Sequence, residues 1–166
     1  TDVAPYEGEE WLAYLEVEDQ GGGYDFASAI GVELFTMRAL AVDSAINYGA
    51  LAVNADTGSY NATTTLFNIG NVPFDIEIDG GDLSDGGSSV IEADNQKFAT
   101  STFTYTSCLT CALASSTAPV EVGVELSKPT SFASPVTVPL YWGIAVPFGV
   151  NSAPHSGINV FTPVSP

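Results

Sequence analysis

Apolar and polar residues alternate with a period of two along much of this chain. Phe74, Ile76 and Ile78 interleave with Asp75, Glu77 and Asp79, and Val120, Val122, Val124 and Leu126 interleave with Glu121, Gly123 and Glu125. In a strand, successive side chains point to opposite faces, so each segment presents one dry face and one acidic, wet face. Glycine (16 residues) and proline (10 residues) interrupt every such run, which leaves no room for long helices. The pattern predicts an all-β chain built as one sandwich with a solvated side. Further strands are expected over 60–69, 97–105, 138–146 and 157–163, with 138–146 apolar on both faces and therefore central. Gly80–Gly87 is expected as a loop. The stretch 26–48 is open between strands and a short helix within Ala27–Leu40.

The N-terminal segment 1–20 is acidic, with Glu7, Glu9, Glu10, Glu16, Glu18 and Asp19. Through it runs an alternating apolar set, Trp11, Ala13, Leu15 and Val17. Gly21, Gly22 and Gly23 follow and divide the chain into an arm, 1–20, and a β-sandwich domain, 21–166. Two readings are open: the glycines form a hairpin turn and the arm joins its own sheet, or they form a hinge and the arm reaches a neighbouring subunit.

Charge narrows the function. Three cations, Arg38, Lys97 and Lys128, face 20 acidic residues, for a net charge of −17. Nucleic acid is excluded as a natural partner because phosphate binding needs clustered Lys and Arg. Anionic lipid is disfavoured for the same reason. No apolar run approaches the length of a membrane helix. The excess carboxylates either face water or bind divalent cations. Asp79, Asp82 and Asp85, three apart in a glycine-rich loop, are the candidate calcium ligands, although their spacing is not that of an EF-hand. No other cofactor is indicated.

Cys108 and Cys111 form a C-x-x-C in a Ser/Thr-rich loop. No helix stands there to depress a thiol pKa, and the four ligands of a zinc site are missing. A local disulfide, formed in an oxidising compartment, is expected. His155, the single histidine, sits in a turn-like context, and no G-x-S-x-G elbow supplies it with a serine. Asn61-Ala62-Thr63 is a glycosylation sequon. No motif of enzymatic type is present, so the chain is not expected to be an enzyme or to take a small-molecule substrate.

Ile46–Leu51, Asn61–Thr65 and Asn68–Ile76 look like the "YG.L … N.T … N.GN" pattern of secreted prokaryotic surface proteins, and Asn95–Ala99 and Tyr141–Pro147 add to the resemblance. Over about residues 40–163 the chain resembles the TasA/camelysin-like biofilm fibre subunits and the related archaeal bundling pilins. The resemblance implies an Ig-like or jelly-roll sandwich, export with removal of a signal peptide, and polymerisation into extracellular filaments by donor-strand exchange. It carries no active-site residues. The acidic arm departs from it. The expectation is a homopolymer whose arm adds to an open sheet edge of the next subunit, with Trp11, Ala13, Leu15 and Val17 as anchors and Gly21–Gly23 as hinge. Two rivals are a jelly-roll capsid subunit and a monomeric adhesin or carbohydrate-binding module. The second would expose aromatics among Tyr6, Tyr14, Tyr24, Tyr60 and Trp142.

Overall fold

A computed structural model describes residues 11–32, 36–43, 45–130 and 135–166, the side chains of 11–13 and 30–32 excepted. It is all-β: β1 (Trp11–Glu18), β2 (Tyr24–Val32), β3 (Leu40–Val42), β4 (Ala62–Asn68), β5 (Asp75–Asp79), β6 (Leu83–Ser84), β7 (Val90–Ile91), β8 (Gln96–Ala99), β9 (Ala112–Leu113), β10 (Val120–Glu121), β11 (Val136–Ile144) and β12 (Val160–Val164). One 3₁₀ turn, Ala93–Asn95, interrupts them. Within 26–48 the described residues form β2 and β3, and no helix is found there.

The strands make four antiparallel sheets: β1-β2, β10-β5-β12, β3-β4-β11-β8-β9 and β6-β7. Two compact units result, Thr1–Met37 and Arg38–Pro166. The first contains the β1-β2 hairpin and the second the other three sheets.

In the larger unit the alternating segments deliver one core. Leu66 of β4, Ile76 and Ile78 of β5, Leu140 and Trp142 of β11 and the bridge residues Phe74 and Leu126 are wholly buried. Phe98 of β8 packs its ring 5.3 Å from that of Trp142, and Phe161 of β12 meets Trp142 edge-on at 6.0 Å. The three- and five-stranded sheets therefore share this core. Trp142 cannot be one of the exposed aromatics of an adhesive face.

Proline placement follows the ladders. Pro139 lies in β11, opposite Thr65 of β4, but β8 pairs only from Tyr141 onward, so the missing N–H faces no second strand. The 120–126 segment departs from the continuous strand its alternation predicts. Val120 and Glu121 pair with Ile78 and Glu77, and Leu126 pairs with Phe74. Between them Gly123 takes φ +68°, and the Val124 N–H donates to Asp75 Oδ1 at 3.2 Å instead of to a backbone carbonyl. One residue in the left-handed region is enough to break a ladder into two parts. Gly80–Gly87 likewise is more than a loop, because β6 inside it pairs with β7.

Asn68 ends β4 as a buried hub. Its Nδ2 donates to the carbonyls of Val72, Leu126 and Ser127 at 2.9–3.1 Å, and its Oδ1 accepts from Gly70 N. A buried amide with its donors and acceptor engaged holds a turn without the cost of unmet hydrogen bonds.

Candidate functional site

Gly21–Gly23 lie at the turn of the β1-β2 hairpin. Glu18 lies opposite Tyr24 and Leu15 opposite Ala27. Asp19 closes the turn: its Oδ1 accepts from Gly21 N at 2.7 Å and Gly23 N at 2.8 Å, and its own N–H donates to the Gly23 carbonyl. Gly22 takes φ +80°, which glycine adopts without steric cost. The three glycines therefore lie in a tight turn that returns β1 onto its own neighbour.

The hairpin carries exposed apolar side chains on both faces, beside Asp25 on one and Glu16 and Glu18 on the other. Leu15 (62% exposed) and Val17 (53%) share one face with Ala27. Tyr14, Tyr24 and Phe26 share the other, each more than half exposed. Tyr14 stacks on Phe26 at 6.0 Å and its hydroxyl lies 3.3 Å from that of Tyr24. The hydrogen bond to Tyr14, and then one to Glu16, push the Tyr24 hydroxyl up to about 12. The side chains of Trp11 and Ala13, and residues 1–10 with Tyr6, Glu7, Glu9 and Glu10, lie outside the described residues.

The larger unit carries an apolar groove of about 1050 Å³, lined in part by Val42, Ile46, Tyr48, Leu51, Ile144 and Phe161. Residues 45–51 border it in no strand and make no backbone–backbone hydrogen bond among the described residues. Tyr48 anchors them by donating to Gln96 Oε1 at 2.9 Å. Burial, and then the charge of a deprotonated Tyr105, raise the Tyr48 hydroxyl well above the ordinary tyrosine range. Gln96 is buried, with Asn159 Nδ2 as a second donor and the Gly81 carbonyl as acceptor. None of these polar roles was marked by a motif.

The three candidate calcium ligands are not gathered at one point among the described residues. Asp82 Oδ1 accepts from Ala93 N at 2.8 Å. Asp85 accepts from Gly87 N, Ser89 N and Asn151 Nδ2. Asp79 closes β5 opposite Val160. Two of the three carboxylates thus cap separate backbone groups. Among the described residues no three His, Cys, Asp or Glu side chains converge as a metal site.

The sequon is also closed. Asn61 Oδ1 accepts from Phe103 N at 3.0 Å, and Nδ2, the atom that would carry a glycan, is buried without a partner. Attachment there would require the segment to open. Cys108 and Cys111 do form a disulfide, with Cα atoms 5.6 Å apart. Lys97 holds the same loop by donating to the Tyr105 and Cys108 carbonyls at 2.9 and 3.2 Å, while its ammonium lies over the Tyr105 ring. Leu109, at the loop tip, is 94% exposed.

No family model, curated protein or solved structure matches the chain. Its class is therefore defined by its own architecture: an all-β protein of four antiparallel sheets, with a two-faced N-terminal hairpin and a grooved larger unit.

Proposed function

We propose that this chain is a structural subunit of a secreted, extracellular filament, joined to the next copy through its N-terminal hairpin. The exposed apolar surface on both faces of β1-β2 carries the reading. A two-stranded hairpin is marginal alone in water, so it gains by adding to another sheet. With β1 already paired to β2, the donated element is the hairpin rather than a lone strand. Its eight-residue β1 spans about 26 Å. The acceptor is the groove beside 45–51, where backbone groups outside any sheet lie next to apolar walls. The three- and five-stranded sheets are read as the two layers of a sandwich whose groove is the unfilled place. A head-to-tail contact of this kind propagates into a filament instead of closing as a dimer. The disulfide supports an oxidising location.

Deletion of residues 1–32 tests the reading. The truncated chain should remain folded and monomeric on a sizing column, while the full chain gives filaments by negative-stain microscopy. Leu15→Asp should behave like the truncation, because an unpaired charge would enter an apolar slot. Filaments from the truncated chain would overturn the proposal. A second reading, a monomeric surface adhesin or carbohydrate-binding module, is favoured by the row Tyr14, Phe26 and Tyr24. Monomeric full-length protein retained on a polysaccharide column would select it.

A further inference from the structure

Ser89 and His155 are 66 residues apart, and the fold brings them together. The β6-β7 hairpin presents Ser89 just before β7, in a turn held by Asp85. The loop 149–157 docks on it through reciprocal backbone hydrogen bonds between Ser84 and Ser156, both 2.9 Å, and through Asn151 Nδ2 to Asp85 Oδ2. His155 Nδ1 then lies 2.7 Å from the Ala153 carbonyl, and Nε2 lies 3.0 Å from Ser89 Oγ.

These contacts decide the tautomer. A carbonyl oxygen can only accept, so Nδ1 carries the proton. In the neutral ring Nε2 is then a free base, and the Ser89 hydroxyl donates to it. One lone pair of Oγ takes the Asn151 N–H at 3.1 Å. The other is available. Nucleophile, base and an orienting acceptor stand in line within hydrogen-bond reach, which is the arrangement that activates a serine.

Ser89 lines a cleft of about 570 Å³, with Val90 and Phe148 offering apolar contact and Glu92 and Asp94 adding negative charge, while its hydrogen-bond partners His155 and Asn151 line the larger groove. Phe148 is 90% exposed at this cleft. No Lys or Arg lines it among the described residues, so an anionic substrate finds no partner there.

We propose that Ser89 is an acyl-accepting nucleophile with His155 as its general base, and that the cleft takes small uncharged carboxylic esters. Ser89 Oγ attacks the ester carbonyl carbon while its proton passes to His155 Nε2. Collapse breaks the bond to the alcohol oxygen, which leaves with the proton from Nε2, and an acyl-Ser89 ester remains. Water attacks that ester, gives one proton to Nε2, and Ser89 recovers it as the acid departs. The sum is ester plus water to acid plus alcohol, with no other reactant.

The test uses the full chain with a fluorophosphonate probe, read by intact mass and peptide mapping, and with p-nitrophenyl acetate. A single adduct on Ser89 is expected, absent from urea-unfolded protein. Ser89→Ala should abolish it, and His155→Ala should slow it at least tenfold, while Ser101→Ala, at an exposed position outside the cleft, labels like the parent. Ester turnover should fall at least tenfold in Ser89→Ala. Because His155 also staples two loops, Ser89→Cys provides a second measurement. In the folded protein the introduced thiol should react with iodoacetamide at least fivefold faster than in the unfolded chain at neutral pH. No adduct on the folded parent, an adduct surviving Ser89→Ala, or a thiol in Ser89→Cys no faster folded than unfolded would each show that the pair only staples the loops.

Discussion

The indole Nε1 of Trp142 donates to Thr64 Oγ1 at 2.7 Å inside the core. The two residues lie diagonally across the β4-β11 ladder, since Trp142 is opposite Ala62 and Thr64 is opposite Leu140. A diagonal cross-strand pair is within reach of a large side chain. The hydroxyl is what allows an indole to be wholly buried, because a buried N–H without an acceptor is costly.

Thr64→Val keeps the shape and removes the acceptor. It should destabilise the larger unit by about 1–3 kcal/mol, the usual cost of stranding a buried donor. Urea unfolding of Thr64→Val, Trp142→Phe and the double variant measures this. Additive effects, with no coupling energy, would show that the hydrogen bond contributes nothing.

Gly81 is required for a close backbone approach, not for an unusual φ. A Cβ there would collide with the Ile158 carbonyl oxygen, which is backbone and cannot swing aside. Gly81→Ala should therefore cost about 1–3 kcal/mol, typical of overpacking. Gly86→Ala has open space around it and φ +80°, so it should be penalised only by backbone strain. Equal melting temperatures for Gly81→Ala and the parent would refute the clash.

Glu121 stands opposite Glu77 on the wet face of β10-β5. Its carboxyl is raised above the ordinary range first by a hydrogen bond to Asp75 and by the Asp75 charge, then by desolvation and Glu77. A raised folded pKa means that the folded state holds the proton more tightly. That contribution is present at low pH and is lost as pH rises through the folded value. Glu121→Gln should raise the melting temperature at pH 7 and flatten its decline between the ordinary glutamate range and neutrality. A lower melting temperature for the variant at pH 7 would contradict the repulsion.

Asp85 has the opposite sign. Hydrogen bonds from Asn151 and Gly87 hold its carboxyl below the ordinary range. Its contribution is present at neutral pH and is lost as pH falls through that lowered value. Asp85→Asn should remove this acid sensitivity and increase hydrogen exchange at Gly87 and Ser89, whose N–H groups it binds. Unchanged exchange at both amides would count against the assignment.

The Cys108–Cys111 loop is held twice, by the disulfide and by Lys97. So short a closure constrains the unfolded chain little, about 2 kcal/mol at most. Hydrogen bonds from a charged donor are worth about 1.5–3 kcal/mol each. Lys97→Met should therefore lower the melting temperature more than the double Cys108→Ser, Cys111→Ser variant does. The reverse order would assign the loop to the disulfide.

The strands of the core were legible because burial follows a period of two: Phe74, Ile76 and Ile78 can be dry together only if the backbone is extended. The disulfide was legible because two cysteines three apart have few other uses in such a context. The hairpin was half legible, since the glycines marked a reversal but equally allowed a hinge. The break at Gly123 was hidden, because glycine in an alternating run also reads as a small outward residue. The surroundings of Asp79, Asp82 and Asp85 were hidden for the same kind of reason. Spacing places carboxylates in one loop, but backbone N–H groups from Ala93, Gly87 and Ser89 satisfy two of them first.

The sequence alone therefore determined which residues are dry, that strands carry them, and where the crosslink closes, because those depend on neighbours a few positions apart. Only the tertiary structure decided which sheets form, that the sequon nitrogen is covered, and that Ser89 meets His155. Each of those needs atoms from distant segments to arrive within about 3 Å with the right orientation, and hydrogen bonds fall off too steeply with distance and angle for any local pattern to encode that.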